Sequence, residues 1–562
     1  MDYQVNFGHL DHATVPHAAP ARFRLAVLGD FSGRANAGKL GTGADLARRK
    51  PIAVDVDNLD DVLARMKLSL SLTLAEDGTA VSVPIASLDD FHPDQLTENV
   101  ELFESLIQLR QDLSSKAGFA RAAKKVLSWS GERALPHFRR VACGAAIATD
   151  RHLSDFARLT RRTAPAAPTD SIDDLMRRLV GPYIQPARDA EQTELVARVD
   201  HALSVAMGRV LHHPDFQAAE ALWRGVELLV RRIETGARMQ IVLYDVSAEE
   251  LAADLAATDA LEDTGLYGLM VEAPGMDADQ GALSAVVGLF GFELTPPHAD
   301  LLGRVAQVAA AAGAPFLTGI DPDALAMKFE DQHLLNRQAW PALWALPDAA
   351  YLGLATPRFL LRAPYGKASD PIDAFAFEEF TREAGLSGML WGHPALIAGL
   401  LLAQAWGKAG SKMQPGRVGS VGDMPYYVYT TPDGESVALP CTERLYSERQ
   451  ASQTGSYHVM PLVTLCGRPE VRLSRFASVA GSDLAGFWAL GKPDAAPAVD
   501  APKAEPEEQP EAVAPEPEAD GTAEEAGSTD DLDALLASLN EPASPAEEGE
   551  TEVDLDALLA SL

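Results

Sequence analysis

The chain has 562 residues, 47% of them hydrophobic and 23% charged, so it can bury a large interior but is too long for one core, since single cores stop growing at roughly 250–300 residues. The net charge of −34 is unevenly placed: residues 493–562 hold 21 acidic residues against one base, Lys503, leaving about −14 on everything before them. This balance excludes general binding to nucleic acid or anionic membranes, both of which need clustered Lys and Arg. Cys143, Cys441 and Cys466 are too few and too far apart for a disulfide framework or a zinc site. No stretch of about 18 apolar residues and no leader pattern occurs, so a cytoplasmic protein is expected.

In chain order, residues 22–28 run from partial alternation into continuous apolar sequence and end at Gly29-Asp30-Phe31-Ser32-Gly33, which predicts a strand entering a turn. A second strand is expected at Ile52–Val56. A helix then follows, capped by Asp57 or Asn58, with Leu59, Val62 and Leu63 on one face. Leu68–Leu74 and Ala80–Ile85 alternate as strands. One helix is expected from about Gln95 to Leu113, burying Leu96, Val100, Phe103, Leu106, Ile107 and Leu109. From Ser114 to about Pro168 the sequence turns basic and ends in linker composition at Thr163–Pro168.

Beyond this boundary, helices are expected at Glu191–Leu211 and Phe216–Thr235, a strand at Met239–Val246, and a helix at Leu301–Ala312 leading into Pro315–Thr318. Strand-like pieces at Val459–Cys466 and Val471–Phe476 close the region. Alternating helices and short strands give a mixed α/β (α+β) fold. After Trp488 the sequence becomes rich in Pro, Glu and Ala, a composition that predicts a disordered acidic tail. Within it Asp531–Leu539, reading DLDALLASL, recurs without change at Asp554–Leu562.

Gly33-Arg34-Ala35-Asn36-Ala37-Gly38-Lys39-Leu40 has the spacing of a phosphate-binding loop, but Leu40 stands where Ser or Thr would hold Mg²⁺. It reads as a glycine-rich turn. His212 and His213 are neighbours on the chain and point about 100° apart on a helix, so they read as a helix end before Pro214 rather than as metal ligands. Asp60-Asp61 and Asp89-Asp90 read as caps and first-turn charges, and Cys441 as a core or boundary residue. These residues form no catalytic set.

Three segments in the first region, 22–34, 56–63 and Leu88-Asp89-Asp90-Phe91-His92-Pro93-Asp94, together resemble the small sheath subunit of type VI secretion systems. The second region resembles the large sheath subunit. The matching residues are Leu211–Gln217, Leu222–Val230, Ala314-Pro315-Phe316, Tyr351–Gly366, Phe377-Glu378-Glu379, Leu390-Trp391-Gly392, Leu439–Glu443 and Arg472–Phe476.

The resemblance implies two sheath-type domains forming an intertwined protomer: a small-subunit-like domain at 1–115, a basic connecting segment and linker at 116–170, a large-subunit-like domain at 171–490, and the tail at 491–562. It implies no cofactor and no catalysis. The implied partners are further copies of the fused protomer, an inner tube protein of the Hcp kind, baseplate components, and a disassembly AAA+ ATPase of the ClpV kind. A non-contracting adaptor or cap is the rival within the structural class, and an NTPase using Gly33–Lys39 the rival outside it.

Leu532, Leu535, Leu536 and Leu539 fall at i, i+3, i+4 and i+7, as do Leu555, Leu558, Leu559 and Leu562, so each nonapeptide is expected to dock as a short amphipathic helix. Ile172, Leu175 and Met176 are the expected counterpart of the ATPase-recruiting helix of large sheath subunits.

Overall fold

The computed structural model describes residues 3–10, 20–74, 80–128, 145–146, 192–276 and 281–489. The expected docking leucines of the tail and Ile172, Leu175 and Met176 lie outside the described residues. The described residues fall in one compact unit.

Ten strands form the main sheet: β1 (Phe23–Gly29), β2 (Ile52–Val54), β5 (Ala145–Ala146), β6 (Met239–Asp245), β7 (Ala285–Phe292), β8 (Phe316–Ile320), β9 (Leu352–Thr356), β12 (Ser420–Val421), β15 (Met460–Val463) and β16 (Val471–Leu473). Their order is β12-β16-β15-β9-β8-β7-β1-β6-β2, with β5 added to β7 beyond the end of β1. The strands from β15 to β6 are parallel, and antiparallel strands close both edges. Three antiparallel pairs stand apart: β3 (Leu68–Thr73) with β4 (Ala80–Ile85), β10 (Phe359–Leu360) with β11 (Trp391–Gly392), and β13 (Val428–Thr430) with β14 (Ser436–Ala438).

Strand β1 is buried along its whole length because helices cover both faces of the sheet. Its side chains divide by the period-2 rule: Phe23, Leu25 and Val27 enter one core, Ala26 and Leu28 the other. On the first face lie α5 (Gln192–Leu211), α6 (Pro214–Arg232) and α10 (Ala395–Ala409). On the second lie α7 (Ala248–Ala256), α8 (Pro296–Ala312) and α9 (Leu334–Trp344).

The expected helix over 95–113 is two helices, α2 (Pro93–Asn99) and α3 (Glu101–Ser114). Val100 between them is extended (φ −112°, ψ 116°) and fully buried. A β-branched residue after Asn99 gives up helical geometry to place its side chain in the core, while its amide still donates to Leu96. The helix α1 (Leu59–Met66) begins after Asn58 as expected, but the Asn58 side chain accepts from the Asp55 amide rather than capping the helix. The basic stretch after Ser114 contains a further helix, α4 (Phe119–Ser128).

Strand β7 and helix α10 carry no periodic signature, because each is apolar on every side. Gly288 in β7 is required by space: a Cβ there would lie 2.3 Å from the Phe316 ring of the neighbouring strand.

Candidate functional site

The first region meets the second most intimately at β1, which pairs in parallel with β6 from Phe23↔Met239 to Gly29↔Asp245 and with β7 from Leu25↔Ala285 to Leu28↔Gly288. A strand from the first hundred residues therefore completes the centre of a sheet whose other central strands come from beyond residue 238. It sits where the chain order reverses, between β6 and β7.

The loop that follows β1 is held by carboxylates. Asp30 accepts the amides of Arg34 (2.5 Å) and Ala35 (2.9 Å). Asp245, at the end of β6, accepts the Ser32 amide (3.1 Å) and hydroxyl (2.7 Å). Glu250, near the start of α7, takes Arg34, Arg49 and the Gly41 amide, and Asp254 takes the Gly43 amide. Burial alone would push Glu250 up, but the two guanidiniums hold it below the ordinary carboxylate range. Burial pushes Asp30 up to about 7; the two amides oppose this and the nearby charges of Asp245 and Glu249 add to it.

These contacts decide what the glycine-rich loop can do. A phosphate-binding loop turns its amides toward an anion supplied by the nucleotide. Here the amides of Arg34 and Ala35 already serve the chain's own Asp30, and the Lys39 amide donates back to the Arg34 carbonyl. Leu40 is partly exposed.

Further contacts join the regions around this centre. The Asn36 side chain bridges the Ser71 backbone to Asp215 on α6 (2.8 Å). The Asp94 carboxylate accepts the amides of Asp373 and Ala374 (both 3.1 Å), while His92 packs edge-on against Tyr365. Phe91 meets Phe216 edge-on with centroids 5.5 Å apart, and Arg110 on α3 pairs with Asp200 on α5. Residues 3–10 strap across α8, where Gln307 donates to the Phe7 carbonyl (2.7 Å) and Tyr3 bonds Asp300.

His213 is the N-cap of α6, its Nδ1 accepting from the Asp215 amide (3.2 Å). His212 points elsewhere, 3.5 Å from Glu379. Asp90 closes a capping box with Ser87 and also accepts the Ala86 amide. Cys441 is buried beside the loop that carries Cys466. Among the described residues, no group of three or more His, Cys, Asp and Glu is placed to hold a metal ion, and no helix is long and apolar enough to cross a membrane.

A buried ion network went unread in the sequence. Arg362 bonds both Glu220 (2.7 Å) and Glu379 (2.7 Å), and Arg224 bonds Glu220 (2.7 Å) and the Tyr365 hydroxyl (3.0 Å). Glu220 is fully buried. Burial would raise Glu379, yet Arg362 and His212 hold it down to about 2. The available signal was Glu220 itself, an acid on the face of α6 that also carries Phe216 and Trp223, with Arg224 four residues on.

Comparison with known proteins reads both regions. Residues 193–479 match the family described as EvpB/VC_A0108, tail sheath N-terminal domain, a match spanning just over half of the chain. The chain belongs to the type VI secretion sheath family. Residues 16–127 match a second family, described as type VI secretion system, VipA, VC_A0107 or Hcp2. The chain is also similar to the type VI secretion system sheath protein TssC1 of Pseudomonas aeruginosa, with 29% identity over 289 residues. That alignment covers 48% of this chain and 57% of the relative, so the chain spans little more than half the relative's length. Both sheath-type signatures thus occur once each in one polypeptide, and the junction described above lies between them.

Proposed function

We propose that this chain is a fused sheath protomer of a type VI secretion machine, polymerising in the cytoplasm around an inner tube protein and contracting to propel it. The observation that carries this reading is the shared sheet: β1, from the region matching VipA, lies between β6 and β7 of the region matching the tail sheath family. A strand in that position cannot leave without exposing the centre of the sheet. Joining the two parts in one chain fixes their ratio at one to one and raises their effective mutual concentration to a millimolar scale. Residues 1–115 act as the small subunit, 116–170 as the connection and 171–490 as the large subunit. The role is structural rather than catalytic, supported by a glycine-rich loop whose amides bind the chain's own Asp30. Replacing Lys39 with alanine therefore leaves assembly unchanged.

Baseplate components bind the end of the polymer, and a disassembly AAA+ ATPase recycles it through the segment holding Ile172, Leu175 and Met176. The two DLDALLASL copies dock on a partner with a hydrophobic groove, and their duplication supplies avidity.

Electron microscopy of the purified protein, alone and with its tube protein, tests the central claim. A hollow helical or ring-shaped polymer of one-chain protomers is expected. Folded protein that stays monomeric in both conditions overturns it.

A further inference from the structure

A basic cleft of about 660 Å³ lies between residues 232–239, after α6, and the C-terminal turns of α10. Ile233, Met239 and Trp406 are its buried apolar lining, and Arg232, Arg238 and Lys408 stand against the acid Glu234. Arg22 adds a further cation by donating to the Ala237 carbonyl in the cleft wall (2.8 Å). The walls are fixed by hydrogen bonds. Arg232 donates to the Gly422 and Asp423 carbonyls (2.6 and 2.7 Å), Gly236 and Met239 exchange backbone bonds, and the Trp406 indole donates to the Arg238 carbonyl (3.2 Å). These cations gather on a unit whose sequence before residue 493 carries about −14 overall. Phe487 packs on Trp406 with centroids 5.5 Å apart, and Trp488 on Phe487 at 5.0 Å. The described residues end at Ala489, so the chain leaves this unit at the edge of the cleft, a few residues before the sequence becomes acidic.

We propose that this cleft receives a DLDALLASL segment from the tail of a neighbouring copy, an inference that rests on the reading of the chain as a polymer. The segment matches the cleft in two respects. Leu532, Leu535, Leu536 and Leu539 supply an apolar face for the buried lining, and Asp531 and Asp533 supply the charge that Arg238 and Lys408 lack; Asp554–Leu562 offers the same set. The length of the tail decides between its own copy and the next. Between Ala489 and Asp531 lie 41 residues, and between Ala489 and Asp554 lie 64. Coils of those lengths span roughly 35 and 45 Å. A cleft beside the point of exit needs no such reach, whereas neighbouring copies of a unit this size lie on the order of 50 Å apart. A tether serves best when its span matches the gap. The tail thereby links one protomer to another and leaves the junction around β1 untouched.

The test uses the full chain. Equal amounts of light and heavy-nitrogen chain are mixed before polymerisation, assembled and treated with a carbodiimide, which joins a carboxylate to an amine as an amide while the reagent takes up the water. Lys408 is the amine of the cleft. The expected products link Lys408 to Asp531, Asp533, Asp554 or Asp556, and half of them pair a light chain with a heavy one, as random mixing requires. Changing Leu535, Leu536, Leu558 and Leu559 to serine is expected to lower these links about tenfold, and so is Arg238→Glu at an exposed position. Microscopy of the same samples separates this proposal from the sheath reading. Polymers whose Lys408 links never pair light with heavy chains place the segment on its own copy and overturn the proposal alone. Tail carboxylates linked equally to the exposed Lys328 and Lys367, or Lys408 links that survive the leucine changes, do the same. Absence of any polymer overturns the sheath reading and this proposal with it.

Discussion

Phe31 and Trp223 meet edge to face with ring centroids 5.3 Å apart, and the Trp223 indole N–H donates to the Phe31 carbonyl across 192 residues of chain. Both rings are fully buried. The contact joins the turn after β1 to helix α6, and so ties the two regions at the point where the loop begins. Truncating Trp223 to alanine is expected to cost about 3–5 kcal/mol, from lost packing and an unfilled cavity. Chemical denaturation should show the loss in one transition shared by both regions. A change below about 1 kcal/mol would mean that the junction is not the structural centre inferred here.

Asp30 makes stability depend on pH in an unusual direction. Its folded value is about 7 against an ordinary 3.8, so the folded state holds the proton more tightly. The associated stability is fully present below about pH 3.8 and is lost as pH rises through 7. Asp30→Asn removes this titration. The expected difference between wild type and variant grows by roughly 2–4 kcal/mol between pH 4 and pH 8, discounted because the residue is partly open to solvent. Parallel denaturation curves with no pH-dependent difference would contradict the assignment.

Arg362 neutralises two buried carboxylates at once. Changing it to methionine leaves Glu220 and Glu379 without their shared cation, an expected loss of about 3–5 kcal/mol. The triple variant Arg362→Met, Glu220→Gln, Glu379→Gln should recover much of it, since the uncompensated charges are gone. In the wild type the folded value of Glu379, about 2 against 4.5, gives stability that persists above 4.5 and is lost as pH falls toward 2. Thermal melts of the single and triple variants from pH 3 to pH 8 check both statements, and equal damage in the two would show that packing rather than charge is responsible.

The repeated tail separates charge from docking. Deleting residues 493–562 removes both, whereas changing Leu535, Leu536, Leu558 and Leu559 to serine removes only the apolar face. Both variants are expected to slow assembly or recycling of the polymer to the same degree, measured by light scattering and microscopy. A defect in the deletion alone would assign the effect to acidity.

The sequence by itself determined the elements whose two faces differ. Leu68–Thr73 and Ala80–Ile85 show alternation because only one side is buried, and α6 shows helical spacing because its outer face is wet. It also carried the family resemblance, through short ordered segments in both regions. The tertiary structure alone decided the rest. Strand β7 and helix α10 are covered on all sides, so no period marks them. The break at Val100 follows from where its side chain must go. Most of all, nothing local to residues 23–29 says that their neighbours are residues 239–245 and 285–288. A strand carries its burial pattern in its own side chains, but its hydrogen-bonding partners lie in backbone groups that every residue other than proline possesses alike.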